Sequence, residues 1–274
     1  MAAPDTPEFE RRYARWAQLQ RDFGPARSFS FAWRLPELAR RGHGDARFQA
    51  ALALAQTLIA MGRHEEALAA LPAADEATPA AWAAPLLYCR ACCLAWADAE
   101  EAALICLAAA GPLWARHQDD LAARASFAFV LDRPDSEAAR RHLDAARRAG
   151  DPARLAQASL LADWSEPGAV AAGELHQALA WLRRHAPAET AMAEARHAEA
   201  RFRQAPAEAL VWLDHALELV ERFGAHGLKP RLLRGKSRSL EAAGQLGEAT
   251  RFLDLAREAA QRLGAWRELR AMAP

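Results

Sequence analysis

Apolar residues recur at helical spacing along almost the whole chain, in short runs broken by turn residues. The clearest case is residues 48–81, FQAALALAQTLIAMGRHEEALAALPAADEATPAA. It predicts two helices with Gly62 in the turn between them, where glycine tolerates positive φ. Small residues at Ala55, Ala67 and Ala74 let the paired helices approach closely, and Leu54 and Leu71 fill the space between them. Pro79 ends the second helix. A second strong copy spans residues 230–263, with Leu240, Gly244 in the turn, then Ala249, Leu253 and Ala256. Between the two, comparable small positions are Ala102, Ala138, Ala172 and Ala209. The steps from Ala67 through these to Ala249 are 35, 36, 34, 37 and 40 residues. Near-constant steps are what stacked helix pairs require, because each unit buries its apolar face on its neighbours.

The breakers agree with this division. Asp132 to Ser136 separates two helices, with Asp135 or Ser136 as N-cap. Gly150-Asp151-Pro152 separates two repeats, with Asp151 capping and Pro152 at the first helical position. Ser165 to Gly168 is another turn, and Gly224 to Pro230 is the longest irregular link. An earlier pair starts near Tyr13 and carries Trp16 and Leu19. Gly24-Pro25 breaks it, Ser28 or Ser30 caps its second helix, and Ala32 is its small residue.

These units resemble the 34-residue tetratricopeptide motif. With Phe48 as position 1, Leu54, Ala55, Ala67, Leu71, Ala74 and Pro79 fall on motif positions. The departures are Ala51, Ala55 and Leu58, where the family prefers Trp, Gly and Tyr. The later copies, with long second helices ending in ERFGA and QRLGA, are similar to the sensor-type repeats of bacterial signalling regulators. The resemblance implies an all-α, right-handed α-solenoid of about seven tetratricopeptide-like hairpins, forming a single superhelical domain over 1–274. It also implies a concave groove, lined by the first helix of each pair, that binds a segment of another protein.

Composition supports helix over strand. Alanine, Arg, Leu, Glu and Gln dominate, Ile occurs only at Ile59 and Ile105, and Asn is absent. Thirty-five basic and 35 acidic residues balance, so the overall excess of positive charge typical of nucleic-acid binders is missing. The N-terminal stretch has no apolar core of the signal-peptide type, and no run of about 18 apolar residues occurs. The expectation is a cytoplasmic protein that does not enter membranes.

Candidate chemistry is sparse. Cys89, Cys92 and Cys93 stand at CxxCC spacing on one helix, with Cys106 on its partner. Thiols so placed could converge on a metal, but small buried cysteines also suit a tight helical core, and core packing is the simpler reading. The nine histidines form no HExxH, and no phosphate-cradling glycine loop or nucleophile elbow is present. No cofactor, metal or catalytic residue is therefore expected. The nine tryptophans read as core wedges between alanines, with Trp164 on the face that tends to line the groove.

The sharpest feature is a charge asymmetry. From Arg222 to Leu240 there are six basic residues and no acid. Arg231, Arg234 and Arg238 stand at i, i+3 and i+7, on one stripe of a helix. By the resemblance they occupy groove positions, as do Glu194 and Arg201 one repeat earlier, and Arg154, Gln157 and Trp164 before that. Guanidinium forks clamp carboxylates or phosphates, so the stripe suits a peptide carboxylate, an acidic segment or a phosphate. The alternative is a solvated basic face paired with acids on the next helix. Early groove positions, Gln49, Leu52, Gln56, Ile59, Ala84, Leu87, Ala91 and Leu94, are mostly apolar, so the groove would run from apolar to basic. Four functions follow. A non-enzymatic adaptor or regulator comes first, then nucleic-acid or phosphate binding by the Arg stripe. The others are self-association through the apolar groove, giving a homo-oligomer, and an enzyme, for which no constellation argues.

Overall fold

The computed structural model describes residues 6–41, 45–72, 78–114 and 117–273. Among them the chain is all-helical, with fifteen α-helices, two short 3-10 turns and no strand. A long kinked helix α1 (Thr6–Ala32) and a short α2 (Leu35–Arg41) come first. Six pairs then follow: α3 (Ala46–Ala60) with α4 (His64–Ala70), α5 (Ala80–Trp96) with α6 (Glu100–Ala110), and α7 (His117–Val130) with α8 (Ser136–Ala149). The next are α9 (Pro152–Ser165) with α10 (Ala172–His185), α11 (Pro187–Arg201) with α12 (Pro206–Phe223), and α13 (Lys229–Ala242) with α14 (Leu246–Leu263). A last short helix, α15 (Trp266–Ala271), closes the described chain. The two helices of each pair pack on each other.

One turn recurs between helices. At Gly62, Gly224, Gly244 and Gly264 the backbone enters the left-handed region, and the next residue donates its N–H to a carbonyl five residues back. Arg63 N to Leu58 O is 2.8 Å, and Gln245 N to Leu240 O is 2.9 Å. This is the helix-ending geometry that favours glycine. Two turns use aspartate instead, Asp98 (φ 64°) and Asp132 (φ 52°), with the same back-bonds from Ala99 and Arg133. A non-glycine residue there costs about 1 kcal/mol or more, so its side chain should have work to do. The caps predicted at the start of α8 and α9 form: Asp135 accepts from Ala138 N at 2.9 Å, and Asp151 accepts from Ala153 N at 2.9 Å.

The small-residue ladder is present with a shifted register in places. Ala32, Ala67, Ala138, Ala209 and Ala249 are buried. Ala102 is exposed and its neighbour Ala103 takes the buried place, while Ala172 is exposed at the start of α10. Ala74 lies outside the described residues. Neither Ser28 nor Ser30 caps a helix. The second segment of α1 starts directly after the kink at Gly24, and Ser28 is buried inside it, donating to Gln20 Oε1 at 2.5 Å.

The ends of this array do not stand apart. α1 packs on α3 but also reaches α11 and α12. A Cβ on Gly24 would stand 2.7 Å from the Phe223 Cβ, and one on Gly224 would stand 2.6 Å from the Ala26 Cβ. The 3-10 turn His226–Leu228 lies against the end of α3, and α15 contacts α5. The array folds back on itself, so inward helix faces meet other helices rather than an open groove.

Candidate functional site

The arginine stripe is the centre of that closure. Arg231 is 1% exposed although it carries a full charge. Its guanidinium grips Glu199 of α11 with two bonds of 2.7 Å and donates to Asp132 at 3.0 Å. It also donates to the Phe129 carbonyl and lies 3.6 Å from the centre of the Phe129 ring. Arg234, also buried, donates to Glu268 of α15 at 2.9 Å and to the second oxygen of Asp132 at 2.9 Å. Burial works against the charge on Arg231, but Glu199, Asp132 and Glu268 outweigh it and raise its pKa. Burial likewise raises Asp132, and the surrounding guanidinium groups reverse this, holding its carboxyl below the ordinary value. The left-handed Asp132 thus bridges two arginines from a distant helix, which is the work that justifies its backbone.

This corrects the placement of the stripe on an open surface. Neither Arg231 nor Arg234 is free to clamp a partner, because acids from α11, the α7–α8 turn and α15 already satisfy both. The acid-free stretch of sequence meets its counter-charges from elements 32 to 102 residues away, a distance that local charge patterning does not cover. Arg238 is half-buried, stacked over Phe202 at 4.6 Å.

The other groove candidates divide. Glu194 is 0% exposed, accepting from Arg183 at 2.8 Å and bonding His215 Nδ1 at 2.7 Å. Arg201 donates to the buried Asp163 at 2.6 Å. Trp164 is buried rather than groove-lining, stacks edge-on to Phe129 and donates to Glu199 at 3.0 Å. Arg154 pairs with Asp119 at 2.9 Å. Gln157 is exposed and donates to Glu189 at 2.7 Å. The early apolar positions are mostly covered too: Leu52, Ala84 and Ala91 are buried, and Ile59, Leu87 and Leu94 are half-buried. Among the described residues an exposed apolar groove from Leu52 to Leu94 is therefore not formed.

Cys89, Cys92 and Cys93 are buried, and Cys106 is partly so. Burial pushes the Cys89 and Cys93 thiols up to about 12, which keeps them protonated and opposes thiolate chemistry. Of the tryptophans, Trp16, Trp96 and Trp164 are core residues, while Trp33 and Trp266 are exposed at 58% and 50%.

Where the inward faces are not knit together, a cavity of about 490 Å³ remains. It lies between α1, the end of α3, α5, α7 and the α9–α11 helices, next to the 3-10 turn before α13. Trp16, Leu160, Leu182, Ala193 and Leu228 give it apolar walls, and exposed Arg21, Gln157 and Glu189 stand at its mouth. Arg196 of α11 reaches its lining. The Arg196 Nε is shielded from solvent without a hydrogen-bond partner, and the side chain has no ion pair among the described residues. Gln157 was a sequence candidate and lies here. Arg196 was not, yet it stands three residues after Ala193 and four before Ala200, on a buried small-residue stripe of α11. A long cation on such a stripe was the available signal.

The chain matches no protein-family model and no curated protein. Fold and site together define an all-helical chain built from paired helices, folded back on itself around one charge-linked centre and a separate, mostly apolar cavity.

Proposed function

We propose that this chain is a non-enzymatic binding scaffold: a right-handed, tetratricopeptide-like solenoid of about seven hairpins that acts as a cytoplasmic regulator or adaptor for a partner protein. The succession of short helix pairs, the recurring turn and the buried alanines between helices support the repeat reading. The observation that carries the binding reading is the cavity. The Arg231–Arg234 centre is closed by its own acids, whereas at this cavity apolar walls and a polar mouth stay open to a partner segment. Binding of nucleic acid by the arginine stripe has no comparable support, since the two buried arginines already carry carboxylates.

The test is affinity capture with mass spectrometry, using the wild type and Met192→Trp, which fills the cavity from its lining. One protein captured by the wild type and lost by M192W, with circular dichroism unchanged, supports the reading. Capture that M192W leaves intact removes the cavity from partner binding, and no specific capture by the wild type overturns the scaffold function. Reversing Arg231 and Arg234 to Glu is no test of a surface, because both would lose buried partners and the fold would fail with them.

A further inference from the structure

Arg196, in the lining of this cavity, has a shielded Nε with no hydrogen-bond partner and makes no ion pair among the described residues. Its neighbours make the problem worse. The Phe129 ring already carries the Arg231 guanidinium at 3.6 Å, and Arg196 lies over the same ring at 4.7 Å. Two cations therefore share one aromatic face system. Glu189, two turns earlier on α11, accepts from Gln157 at 2.7 Å and acts on Arg196 only through space. Glu199 lies on the same helix but is occupied by Arg231 and Trp164. Burial draws the Arg196 pKa down to about 10, Arg231 adding to the effect while Tyr88, Glu189 and Glu199 oppose it, so the group stays charged at neutral pH. A half-buried guanidinium whose Nε is shielded and unpartnered is costly unless something supplies an acceptor.

We infer that this cavity is a binding site for a small monocarboxylate with an apolar body, its carboxylate held by Arg196 and its chain lying against Trp16, Leu160, Leu182 and Leu228. Charge counting selects the class. The ionised residues of the lining are Arg21, Arg196 and Glu189, and with Arg21 paired to Asp22 only Arg196 offers a cation, which one carboxylate matches and a phosphate dianion would overshoot. Arg21 is exposed and bonded to Asp22, so it adds little inside. The volume, about 490 Å³, falls within the range of pockets that bury small organic ligands, and the walls are mostly apolar. A free guanidinium fork offers two parallel N–H groups, the geometry that a carboxylate takes and an alcohol does not. The position also differs from the arginine stripe on α13, so the site does not depend on that stripe being accessible.

The inference goes beyond the scaffold reading and does not need it, because it requires only the cavity. The experiment is calorimetric titration of the full chain with decanoate, below its micellar concentration, and with 1-decanol, which keeps the chain and removes the charge. Quenching of tryptophan fluorescence gives a second readout through Trp16 in the wall. The expected result is one site per chain, with decanoate bound about tenfold or more tighter than decanol, as a charge-assisted bond implies. Arg196→Met keeps the aliphatic volume and should bring decanoate down to the level of decanol. Met192→Trp should abolish both. Equal affinity for the two ligands in the wild type, no saturable decanoate binding, or full decanoate affinity in R196M would each overturn the site. The wild-type comparison of two ligands decides the matter even if a variant fails to fold. Decanoate binding without any captured protein would sink the scaffold reading alone.

Discussion

His64 provides a test of how much buried polarity this fold tolerates. It is the first residue of α4, 4% exposed, and stacks on Trp96 at 5.1 Å with the rings only 10° apart. Neither ring nitrogen has a hydrogen-bond partner among the described residues. Burial lowers its pKa from 6.5 to about 4, and its place at a helix N-terminus disfavours a cation further. A group whose folded pKa lies below its unfolded value holds fewer protons when folded. Its contribution is therefore fully present above about pH 6.5 and is lost as pH falls toward about 4. At about pH 5 the unfolded histidine is almost fully charged and the folded one almost fully neutral, so this residue alone costs about 2 kcal/mol relative to pH 7. His64→Phe keeps the stack and removes the titration. Its ring is slightly larger, and that packing cost is the same at both pH values, so it cancels in the difference. The assay is urea unfolding followed by circular dichroism at about pH 7 and pH 5, for both proteins. The wild type should lose about 2 kcal/mol more than H64F between them. Equal losses would refute the buried, neutral state of His64.

Three further outcomes follow from the centre of the fold. Arg231→Ala leaves the half-buried Glu199 without its cation and Asp132 with Arg234 alone, and should cost about 3 kcal/mol in denaturant unfolding, with Arg231→Lys failing to rescue because it cannot reproduce the two-bond grip on Glu199. Asp132→Gly relieves the left-handed backbone, worth about 1 kcal/mol, but strips acids from two buried arginines, so it should destabilise overall; a more stable D132G would show that the aspartate is not there for Arg231 and Arg234. Gly227→Ala brings a Cβ to 2.7 Å from the Ile59 carbonyl oxygen, a backbone atom, and should lower the thermal midpoint, whereas Gly247→Ala, with nothing near its Cβ, should leave it unchanged or raise it.

Much of the helical layout was legible because local signals carry it. Gly62, Gly150 and Gly244 ended helices where the pattern placed turns, and Asp135, Asp151 and Pro152 began them. Those choices depend on the backbone within four or five residues, so sequence spacing is enough to find them. The one-residue slip from Ala102 to Ala103 marks where that logic weakens, since α6 is so rich in alanine and leucine that its apolar stripe has no sharp edge. The site was hardly legible for a different reason. Whether Arg231 faces solvent or protein depends on Glu199, Asp132 and Glu268, and on the array folding back to bring them within bonding distance. An acid-free run of sequence says only that its partners are not local.

The same reasoning separates the two arginine sites by what each can do. The Arg231–Arg234 centre joins α13 to α11, the α7–α8 turn and α15, and every charge in it has a partner, so its consequence is rigidity: the array is held closed. Arg196, on the same helix as Glu199 and over the same Phe129 ring as Arg231, has no ion pair among the described residues. An anion arriving at Arg196 would be felt at Phe129 and hence by Arg231, whose guanidinium rests on that ring and bonds the Phe129 carbonyl. Filling the cavity should then tighten the centre, so that saturating decanoate raises the thermal midpoint of the wild type and raises it less in R231A, where the shared ring no longer carries a second cation. Equal shifts in both proteins would mean that the ring transmits nothing, and that binding and closure are independent properties of the fold.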